Sequence, residues 1–475
     1  MKSVLLMVAV FLTGCRPDSV VPETDSSSVV DSGLEIAELS IERIDGNPHA
    51  VWLNSTLLED ARIRVEYSQE GEASLVTAWS SEALDHRLPI LGLRGGTDTW
   101  ARVHVETPSG YRVSEAIEFL TDPAALFMNP QVSGERVESD PSGLLFLMDE
   151  SDRSTSEAAD SPTRFVGVDY QGRLIWDLTT EGFSIANAPF VDVLSEELFF
   201  YRTATGGVGI SPTHDVLLEF DVGEAVHHDA ERLPNGNWVV LMRTTELVST
   251  EGWGEITVVG DALVEIDSDG TTVWRWEVRD HLDWESTVTP QGEPLSGLNF
   301  SDWTHANSVQ YVEEKDAFLV SFRNLHCVVL VARSSGEILW RAGRSGDFQI
   351  TNGRWFSGQH DVQLIGEDEL LLYDNGLQGN IDESRGVRYR LDFERQEIEQ
   401  LEEWSAGVLA RTMGSISQLE NGNIILSSGG HRLGSNPSRV LEYGENGQEV
   451  WRLEQALKEQ LNYRTTPFRY AWPLE

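Results

Sequence analysis

Hydrophobic and polar positions follow a repeating pattern along most of this chain. Each copy has two short apolar runs around a polar turn that contains Gly, and it ends in Trp. The copies span 165–176, 263–274, 329–340 and 440–451, with a degenerate copy at 388–404. Short apolar runs bounded by turn residues predict β-hairpins. The Trp that ends each copy can pack between neighbouring sheets.

A second kind of hairpin, with a tighter turn, recurs between these copies. Its clearest examples are LPNGNWVVL at 233–241 and LENGNIIL at 419–426, and weaker examples lie at 140–147, 196–200, 315–320 and 367–372. Two hairpins make a four-stranded blade, and six inner hairpins make six blades around an axis. The pattern therefore predicts an all-β fold with a six-bladed β-propeller over residues 126–475.

A separate all-β unit is predicted ahead of the propeller, over residues 34–122. Hydrophobic and polar residues alternate with period two at 63–67 and 99–106, with turn residues between these segments. The late strands of this unit, over 91–106, resemble those of a small fibronectin type III-like β-sandwich.

The first fifteen residues predict an export signal. Lys2 precedes an apolar run at 4–12, which is too short to span a bilayer as a mature helix. Residues 12–15 (LTGC) resemble a bacterial lipobox, which implies acylation of Cys15; an ordinary cleaved signal is the alternative. Residues 16–33 are polar and predict a flexible tether. We therefore expect an exported protein, lipid-anchored in the bacterial cell envelope at the outer membrane.

The charge of the chain limits its partners. It has 35 Lys and Arg against 78 Asp and Glu, a formal net charge of −43. This field repels nucleic acid and anionic membrane surfaces, so we expect no nucleic acid partner and no membrane contact beyond the lipid anchor. A site that processes a small anion must therefore concentrate positive charge locally. Both a monomer and a homodimer remain open.

Three histidines occupy related places in the repeat. His228 and His360 each lie eight residues before the turn of an inner hairpin, and His305 lies ten residues before another. The strand that enters an inner hairpin is the one nearest the axis, so these side chains are expected to converge on the central channel. A single histidine there is commonly structural, but three together with an arginine predict a functional site.

Five short motifs accompany these histidines. They are VHHDAERLPNGN (226–237), DWTHANSV (302–309), SFRN (321–324), GQHD (358–361) and YDNG (373–376). Their order and spacing resemble those of the bacterial arylsulfate sulfotransferases. The resemblance covers essentially the whole propeller and is specific as a set, whereas each single motif is compatible with an ordinary propeller turn.

The resemblance implies a reaction and a set of roles. In that family, a histidine takes a sulfuryl group from an aryl sulfate donor and passes it to a phenolic acceptor, with no nucleotide donor and no cofactor. The resemblance places the nucleophile at His360. It matches His228 and Arg323 to groups that hold the sulfuryl oxygens, and His305 and Asn307 to the remaining polar wall. A neutral imidazole is a good nucleophile near pH 7, and fixed cationic donors stabilise charge that builds up during transfer.

Three alternatives stand beside this hypothesis. A tri-histidine metal site is chemically reasonable, because His is a common metal ligand, although Arg323 would lie unfavourably close to a cation. A non-catalytic propeller lipoprotein could serve as a binding or assembly scaffold at the outer membrane, but a scaffold has no need of His and Arg along its axis. A quinoprotein dehydrogenase is a weaker alternative, because that family usually has eight blades.

Overall fold

The computed structural model describes most of the chain. The described residues are 36–108, 110–124, 130–134, 144–152, 163–180, 191–195, 198–250, 254–282, 302–379, 381–429, 438–454 and 460–469. The predicted export signal, its Cys15 and the tether lie outside them. The described helices are two single 3-10 turns, Val278–Asp280 and Glu313–Lys315. In this part of the chain, no helix is long and apolar enough to cross a membrane.

The unit ahead of the propeller is built around one long strand, β2. Its strands are β1 (Ile36–Arg43), β2 (Val51–Gln69), β3 (Leu75–Val76), β4 (Ala83–Ile90), β5 (Asp98–Thr107), β6 (Gly110–Val113) and β7 (Ile117–Leu120). The first half of β2 pairs with β1 and β4, and its second half pairs with β3 and β5. Alternate residues such as Ile63, Val65 and Val103 are fully buried in one core. The predicted period-two segments therefore lie in strands, and the fibronectin type III-like assignment stays a prediction.

The rest of the described chain is also made of strands. In chain order they are β8 (Gln131–Gly134), β9 (Leu144–Asp152), β10 (Thr163–Asp169), β11 (Leu174–Thr180), β12 (Val191–Ser195), β13 (Leu198–Arg202), β14 (Gly206–Ile210), β15 (Val216–Asp221), β16 (Val226–Arg232), β17 (Trp238–Thr250), β18 (Gly254–Ile266), β19 (Thr272–Glu277), β20 (Ala306–Val312), β21 (Ala317–Phe322), β22 (Cys327–Ala332), β23 (Ile338–Gly343), β24 (Gln349–Asn352), β25 (His360–Ile365), β26 (Glu369–Asp374), β27 (Arg385–Asp392), β28 (Glu397–Ser405), β29 (Ser415–Gln418), β30 (Ile424–Ser428), β31 (Arg439–Tyr443), β32 (Glu449–Glu454), β33 (Gln460–Leu461) and β34 (Thr465–Arg469).

These strands form six sheets, which are the blades of a propeller. Blades two, three and four are β12–β15, β16–β19 and β20–β23; blade five is β25–β28 with β24 added beside β28. Blade one combines β9–β11 with β33 and β34, and blade six combines β29–β32 with β8. The predicted all-β, six-bladed β-propeller is confirmed. The Trp-ending repeats fall on the outer hairpins of blades one, three, four, five and six.

Blade two has an outer hairpin that the repeat did not reveal. Its third strand, β14, has three glycines because each position lies against a neighbouring residue: a Cβ would overlap the Phe220 carbonyl oxygen at Gly206, the Phe200 ring at Gly207 and the Leu218 side chain at Gly209. The Phe200 ring stacks on Trp238 of blade three with ring centroids 4.2 Å apart. Aromatic rings from the second strands of the two blades therefore make this contact, in place of a Trp at the end of the outer hairpin.

Tryptophans at the ends of the repeats link other blades. Trp176 Nε1 donates to the carbonyl oxygen of Pro212 in blade two at 3.1 Å, and Trp451 Nε1 donates to that of Tyr170 in blade one at 3.0 Å. In blade three the repeat ends at Trp274, which is only partly buried. There, the buried residue two positions later, Trp276, contacts blade four through its own indole N–H.

The two ends of the propeller close the ring together. β34 pairs antiparallel with β9 and becomes the innermost strand of blade one. β8 pairs antiparallel with β32 and becomes the outermost strand of blade six. Strands that are far apart in sequence therefore hold blades one and six.

Side-chain acceptors connect innermost strands of successive blades around the axis. Four backbone N–H groups donate to them: Val309 to Asp229 Oδ2 at 3.0 Å, Val362 to Ser308 Oγ at 3.2 Å, Ile416 to Asp361 Oδ2 at 2.8 Å and Thr465 to Ser415 Oγ at 3.0 Å. These bonds define a common register. We call one set of equivalent positions the acceptor level. It contains the four residues that accept these bonds and Arg464 at the equivalent position before β34: Asp229, Ser308, Asp361, Ser415 and Arg464. The residues that precede them form the histidine level: His228, Asn307, His360, Gly414 and Tyr463.

Glu231 makes the stability of the folded protein depend on pH. Its Oε2 accepts a hydrogen bond from the backbone N–H of Tyr311 at 2.7 Å. Burial, followed by the nearby carboxylates of Asp229 and Asp192, raises the pKa of Glu231 from 4.5 to about 8. The folded protein therefore holds a proton on Glu231 at a pH where the unfolded chain has lost it, and stability falls as the pH rises from 4.5 to about 8.

We expect Glu231→Gln to be as stable as the wild type near pH 4 and more stable at pH 8.5, by on the order of 2 kcal/mol. Gln keeps an oxygen acceptor for Tyr311 without the buried charge. Urea unfolding at pH 4, 6 and 8.5 measures the difference, with the exposed Glu314→Gln as the control. A stability difference that does not change with pH would contradict this assignment.

Candidate active site

The channel brings three predicted histidines together near Tyr463. The rings of His228 and His305 have centroids 4.7 Å apart. The Tyr463 ring lies 5.7 Å from His228 and 6.1 Å from His360. These side chains come from blades three, four and five and from the segment that leads into β34, so the site forms only in the closed ring.

His305 does not share the register of the other two histidines. On β20 the histidine level is occupied by Asn307, and His305 lies two residues earlier, before the strand begins. This offset explains why its distance from the next turn is ten residues instead of eight. The side chain of His305 is 24% exposed, whereas His228 and His360 are buried. His305 is therefore the most accessible of the three imidazoles.

The strands that carry His228 and His360 bulge where they reach the channel. The antiparallel register shifts within 226–230 on β16 and within 360–363 on β25. The backbone φ is positive at His228 (58°), His305 (53°) and Asp361 (48°). Such conformations cost non-glycine residues on the order of 1–3 kcal/mol and persist only where surrounding contacts fix them. The contacts below these bulges therefore matter for the geometry of the site.

The proton on His360 can be placed from its hydrogen bonds. Asn375 Nδ2 donates to the carbonyl oxygens of Ala410 at 2.7 Å and Met413 at 2.8 Å, which identifies its other amide atom as Oδ1. That Oδ1 lies 2.7 Å from His360 Nδ1, so Nδ1 carries the proton and donates it. Nε2 then holds the lone pair, which the Met413 N–H reaches at 3.3 Å.

Arg323 supplies positive charge next to this imidazole. Burial lowers the pKa of His360 well below its usual value, and the Arg323 guanidinium lowers it further, so His360 is neutral at pH 7. Arg323 Nη1 donates to Asn324 Oδ1 at 2.8 Å, and Nη2 donates to the Arg411 carbonyl oxygen at 3.0 Å. Its buried Nε has no hydrogen-bond partner within the described residues. The site thus combines a neutral imidazole with a fixed cation.

His228 is held from behind by a second histidine and a carboxylate. His227 Nε2 lies 2.9 Å from Asp261 Oδ1, and His227 Nδ1 lies 2.8 Å from His228 Nδ1. One of the two Nδ1 atoms donates to the other, and the Asp261 carboxylate lies beside the far nitrogen of His227. Burial lowers the pKa of His228 well below its usual value, and the nearby His305 and His227 lower it further. His228 is therefore a neutral, oriented ring.

A different carboxylate holds His305. His305 Nδ1 donates to Asp302 Oδ2 at 2.6 Å, which leaves Nε2 as the second ring atom available to a ligand. Asn324 Nδ2 donates to the Asp302 carbonyl oxygen at 2.7 Å, and the Arg323 N–H donates to the His305 carbonyl oxygen at 3.1 Å. The turn that carries Arg323 therefore also fixes the segment around His305.

Asn307 is fully buried between blades. Its Nδ2 donates to the Gln359 carbonyl oxygen at 2.7 Å, and its backbone oxygen accepts a hydrogen bond from the Tyr463 hydroxyl at 3.3 Å. Asn307 Oδ1 has no hydrogen-bond partner in the described part of the chain. Asn307 thus ties β20 to the chain around His360 and to Tyr463.

Several residues of this site had no role predicted from the sequence. Asn375 and Asp302 lay within the quoted motifs YDNG and DWTHANSV, so their spacing carried a signal. Tyr463 carried none, because only ring closure by β34 brings it to the channel. Among the described residues, no group of three or more His, Cys, Asp or Glu side chains is arranged to hold a metal ion.

The sequence profile of the family described as Arylsulfotransferase (ASST) matches residues 132–464. The chain belongs to the arylsulfotransferase family. The match extends from β8 to the last residue of the acceptor level and contains all the predicted site residues of the propeller. Membership of the arylsulfotransferase family supports aryl sulfotransfer in general. No curated protein sequence matches the chain.

Several solved structures are similar to this arylsulfotransferase-family chain at low sequence identity. A putative 6-phosphogluconolactonase from Bacteroides fragilis has 9% identity and a TM-score of 0.37, and the alignment covers 70% of this chain and 100% of that one. A putative 6-phosphogluconolactonase from Bacteroides uniformis has 9% identity and a TM-score of 0.38, with coverage of 86% and 100%.

We expect Asn375→Leu to weaken the preference of His360 for the Nδ1 proton, because the substitution removes the nearer of its two acceptors and leaves the Gly358 carbonyl oxygen at 3.1 Å. Ring-nitrogen NMR of protein labelled with ¹⁵N-histidine measures this, and His360→Asn assigns the signals. Asn423→Leu is the matched control, since Asn423 Nδ2 bonds Glu442 Oε1 in blade six. Unchanged His360 nitrogen signals in Asn375→Leu would show that Asn375 does not set the tautomer.

Proposed function

We propose that this arylsulfotransferase-family protein transfers a sulfuryl group from an aryl sulfate to a phenol through a sulfohistidine intermediate on His360. The observation that carries the proposal is the imidazole itself. His360 is buried and neutral, its Nδ1 proton is held by Asn375, its Nε2 lone pair faces only the Met413 N–H at 3.3 Å among the described residues, and the charge of the buried Arg323 acts on the ring. A lone pair fixed in this way is suited to attack an electrophilic sulfur.

In the first half-reaction, His360 Nε2 attacks the sulfur of the donor. A nitrogen–sulfur bond forms, and the sulfur–oxygen bond to the aryl group breaks with its electron pair on the phenolic oxygen. The imidazole ring then carries positive charge. Two acceptors face its Nδ1 proton, Asn375 Oδ1 at 2.7 Å and the Gly358 carbonyl oxygen at 3.1 Å, and both stabilise that charge.

The departing phenolate needs a proton, and we assign this step to His305. His228 cannot supply this proton, because its pKa is held well below the usual value and the ring is neutral at pH 7. His305 is more exposed, and its Nδ1 is bonded to the Asp302 carboxylate, which orients the ring. In the second half-reaction, a phenol occupies the place of the leaving group. His305 accepts the proton of the phenol hydroxyl as the phenol oxygen attacks the sulfur. The nitrogen–sulfur bond to His360 then breaks, with its electron pair on Nε2.

Arg323 is the group we assign to the sulfuryl oxygens. Negative charge on these oxygens persists through the transfer, and a preorganised cation in a buried site stabilises it more strongly than water does. The Nε–H of Arg323 has no other partner in the described part of the chain, so it is free to bond an oxygen of the substrate. His228 and Asn307 complete the polar wall of the pocket.

The proposal also accounts for an anionic substrate in a protein with a net charge of −43. The cationic group is buried with the nucleophile, where attraction between charges is stronger than at the surface. Bulk repulsion from the surface falls off over the Debye length, about 8 Å at physiological ionic strength. A local cation therefore decides binding once the substrate is inside the channel.

We expect the wild-type protein to form a labelled enzyme intermediate from a ³⁵S-aryl sulfate without any nucleotide, and to show parallel double-reciprocal plots with a phenol acceptor. His360→Asn should lose the label and nearly all turnover, since it removes the attacking nitrogen. Arg323→Ala should still form the label, but about 10²–10³-fold more slowly, because one charge-stabilising donor is lost. Rapid quench and peptide mapping under alkaline conditions measure both effects.

His86→Asn in the unit ahead of the propeller is the control for these variants and should label like the wild type. Label recovered on a residue other than His360 would reject the assignment of the nucleophile. A strict requirement for a nucleotide sulfate donor would reject the proposed reaction.

We further propose that the protein is exported and held at the outer membrane by acyl chains on Cys15. The support is the lipobox-like sequence LTGC at 12–15 and the polar tether after it. A single acyl chain binds membranes only marginally, so a multiply acylated N-terminus is expected.

We expect Cys15→Ser to abolish incorporation of labelled palmitate and to release the protein from the membrane fraction. Cys327→Ser is the matched control, because it removes the other cysteine of the chain and should keep both palmitate and membrane retention. Full membrane retention of Cys15→Ser would leave the lipid anchor without support.

A further inference from the structure

Four of the five residues at the acceptor level accept a hydrogen bond, and the fifth is a cation. On β16, β20, β25 and β29 this level presents Asp229, Ser308, Asp361 and Ser415, each of which accepts a hydrogen bond from the backbone of the next innermost strand. The chain leading into β34 presents Arg464 instead. A cation at this level cannot accept such a bond, so its position has another reason.

Arg464 connects the two carboxylates of its own level. Its Nη1 and Nη2 donate to Asp229 Oδ1 and Oδ2 at 3.2 and 3.1 Å, and its Nε lies 3.9 Å from Asp361 Oδ1. All three side chains are largely buried, with exposed fractions of 12% for Arg464, 7% for Asp229 and 12% for Asp361. The guanidinium is therefore a bidentate clamp on blade three that also faces blade five.

Each of these carboxylates belongs to the residue that follows a histidine of the proposed site. Asp229 follows His228, and Asp361 follows His360. The bulges at these two positions include positive φ angles at His228 and Asp361, which need external support. Movement of either carboxylate therefore moves the backbone that aims the adjacent imidazole.

The local electrostatics require a cation at this place. Burial raises the pKa of Asp361, Arg464 opposes that rise and the neighbouring Asp229 adds to it. Burial similarly raises the pKa of Asp192 to about 6, against the influence of Arg464. Without the guanidinium, the carboxylates would repel one another inside the channel and separate the two bulges.

We propose that Arg464 is a positioning residue of the sulfuryl-transfer site, which fixes the relative placement of His228 and His360 by bridging Asp229 and Asp361. The proposal rests on the function proposed above. The C-terminal segment then has two roles. Pairing of β34 holds blade one, and Arg464 fixes the positions of the two imidazoles relative to each other.

The test compares removal of the bridge with removal of the charges. Arg464→Met leaves two buried carboxylates unpaired and should destabilise the fold as well as slow sulfohistidine formation. The triple variant Asp229→Asn/Asp361→Asn/Arg464→Met removes all three charges while Asn oxygens still accept the backbone N–H groups. We expect it to recover the thermal stability but to remain about 10²-fold slower than the wild type in single-turnover labelling, because misplacement by about 1 Å costs roughly that much.

Two further variants complete the design. Arg464→Lys keeps the charge without the bidentate fork, and we expect it to recover at least tenfold of the lost rate. Arg333→Met is the matched control: Arg333 also bonds a buried carboxylate, that of Glu265, but beside the turn at the far end of β16 from His228. It should lower stability and leave the labelling rate within about threefold of the wild type.

A second readout does not depend on turnover. The ring-nitrogen NMR signals of His228 and His360 should shift in the triple variant and stay unchanged in Arg333→Met. Recovery of the wild-type rate and signals in the triple variant would overturn the proposal, because Arg464 would then act only by neutralising buried charge. Absence of label in the wild type would instead reject the proposed function, and the NMR comparison would still decide the role of Arg464.

Discussion

The innermost strand of each blade runs along the axis with one edge unpaired, and its backbone N–H groups are too buried to be left without an acceptor. Four side chains accept hydrogen bonds from these N–H groups on the next strand around the ring: Asp229, Ser308, Asp361 and Ser415. The same bonds lock neighbouring blades into one register. His228, Asn307 and His360 come to one level because the residues after them satisfy the backbone of the adjoining blade. The arrangement of the site is thus a consequence of how the axis is hydrogen-bonded.

The site also shows how burial and charge divide the work among similar side chains. Three histidines lie near one another, yet each has a different partner: an amide for His360, a second imidazole for His228 and a carboxylate for His305. The first two rings are buried and held neutral, while the third is more exposed and faces a carboxylate. Identical side chains can therefore take the roles of nucleophile, wall and proton carrier.

Much of this could be predicted from the sequence, because hairpin patterns and turn residues are local. Five of the six predicted inner hairpins and the placement of His228 and His360 near the axis follow from spacing alone. The hairpin predicted at 140–147 is wrong, because the inner partner of β9 is β34 from the other end of the propeller. The outer hairpin of blade two was not visible, because the glycines of β14 leave room for Phe200, Phe220 and Leu218 and so interrupt the apolar run that marks the other blades. The register of Asn307 was missed, because it depends on a bond to the next blade. Tyr463 and Arg464 could not be placed, because pairing of β34 with β9 is not encoded in any local pattern.

That pairing has a consequence for how the molecule folds. Within a blade, hairpins join residues close in sequence, whereas Met148 pairs with Thr465 from the other end of the propeller. Closing a loop of that length costs about 5 kcal/mol of chain entropy, so this contact forms late and limits the rate of the last folding step. Asn462, Tyr463 and Arg464 arrive at the axis in the same event. A chain whose ring is still open thus has its histidines on separate, unaligned blades, and the site is complete only after ring closure.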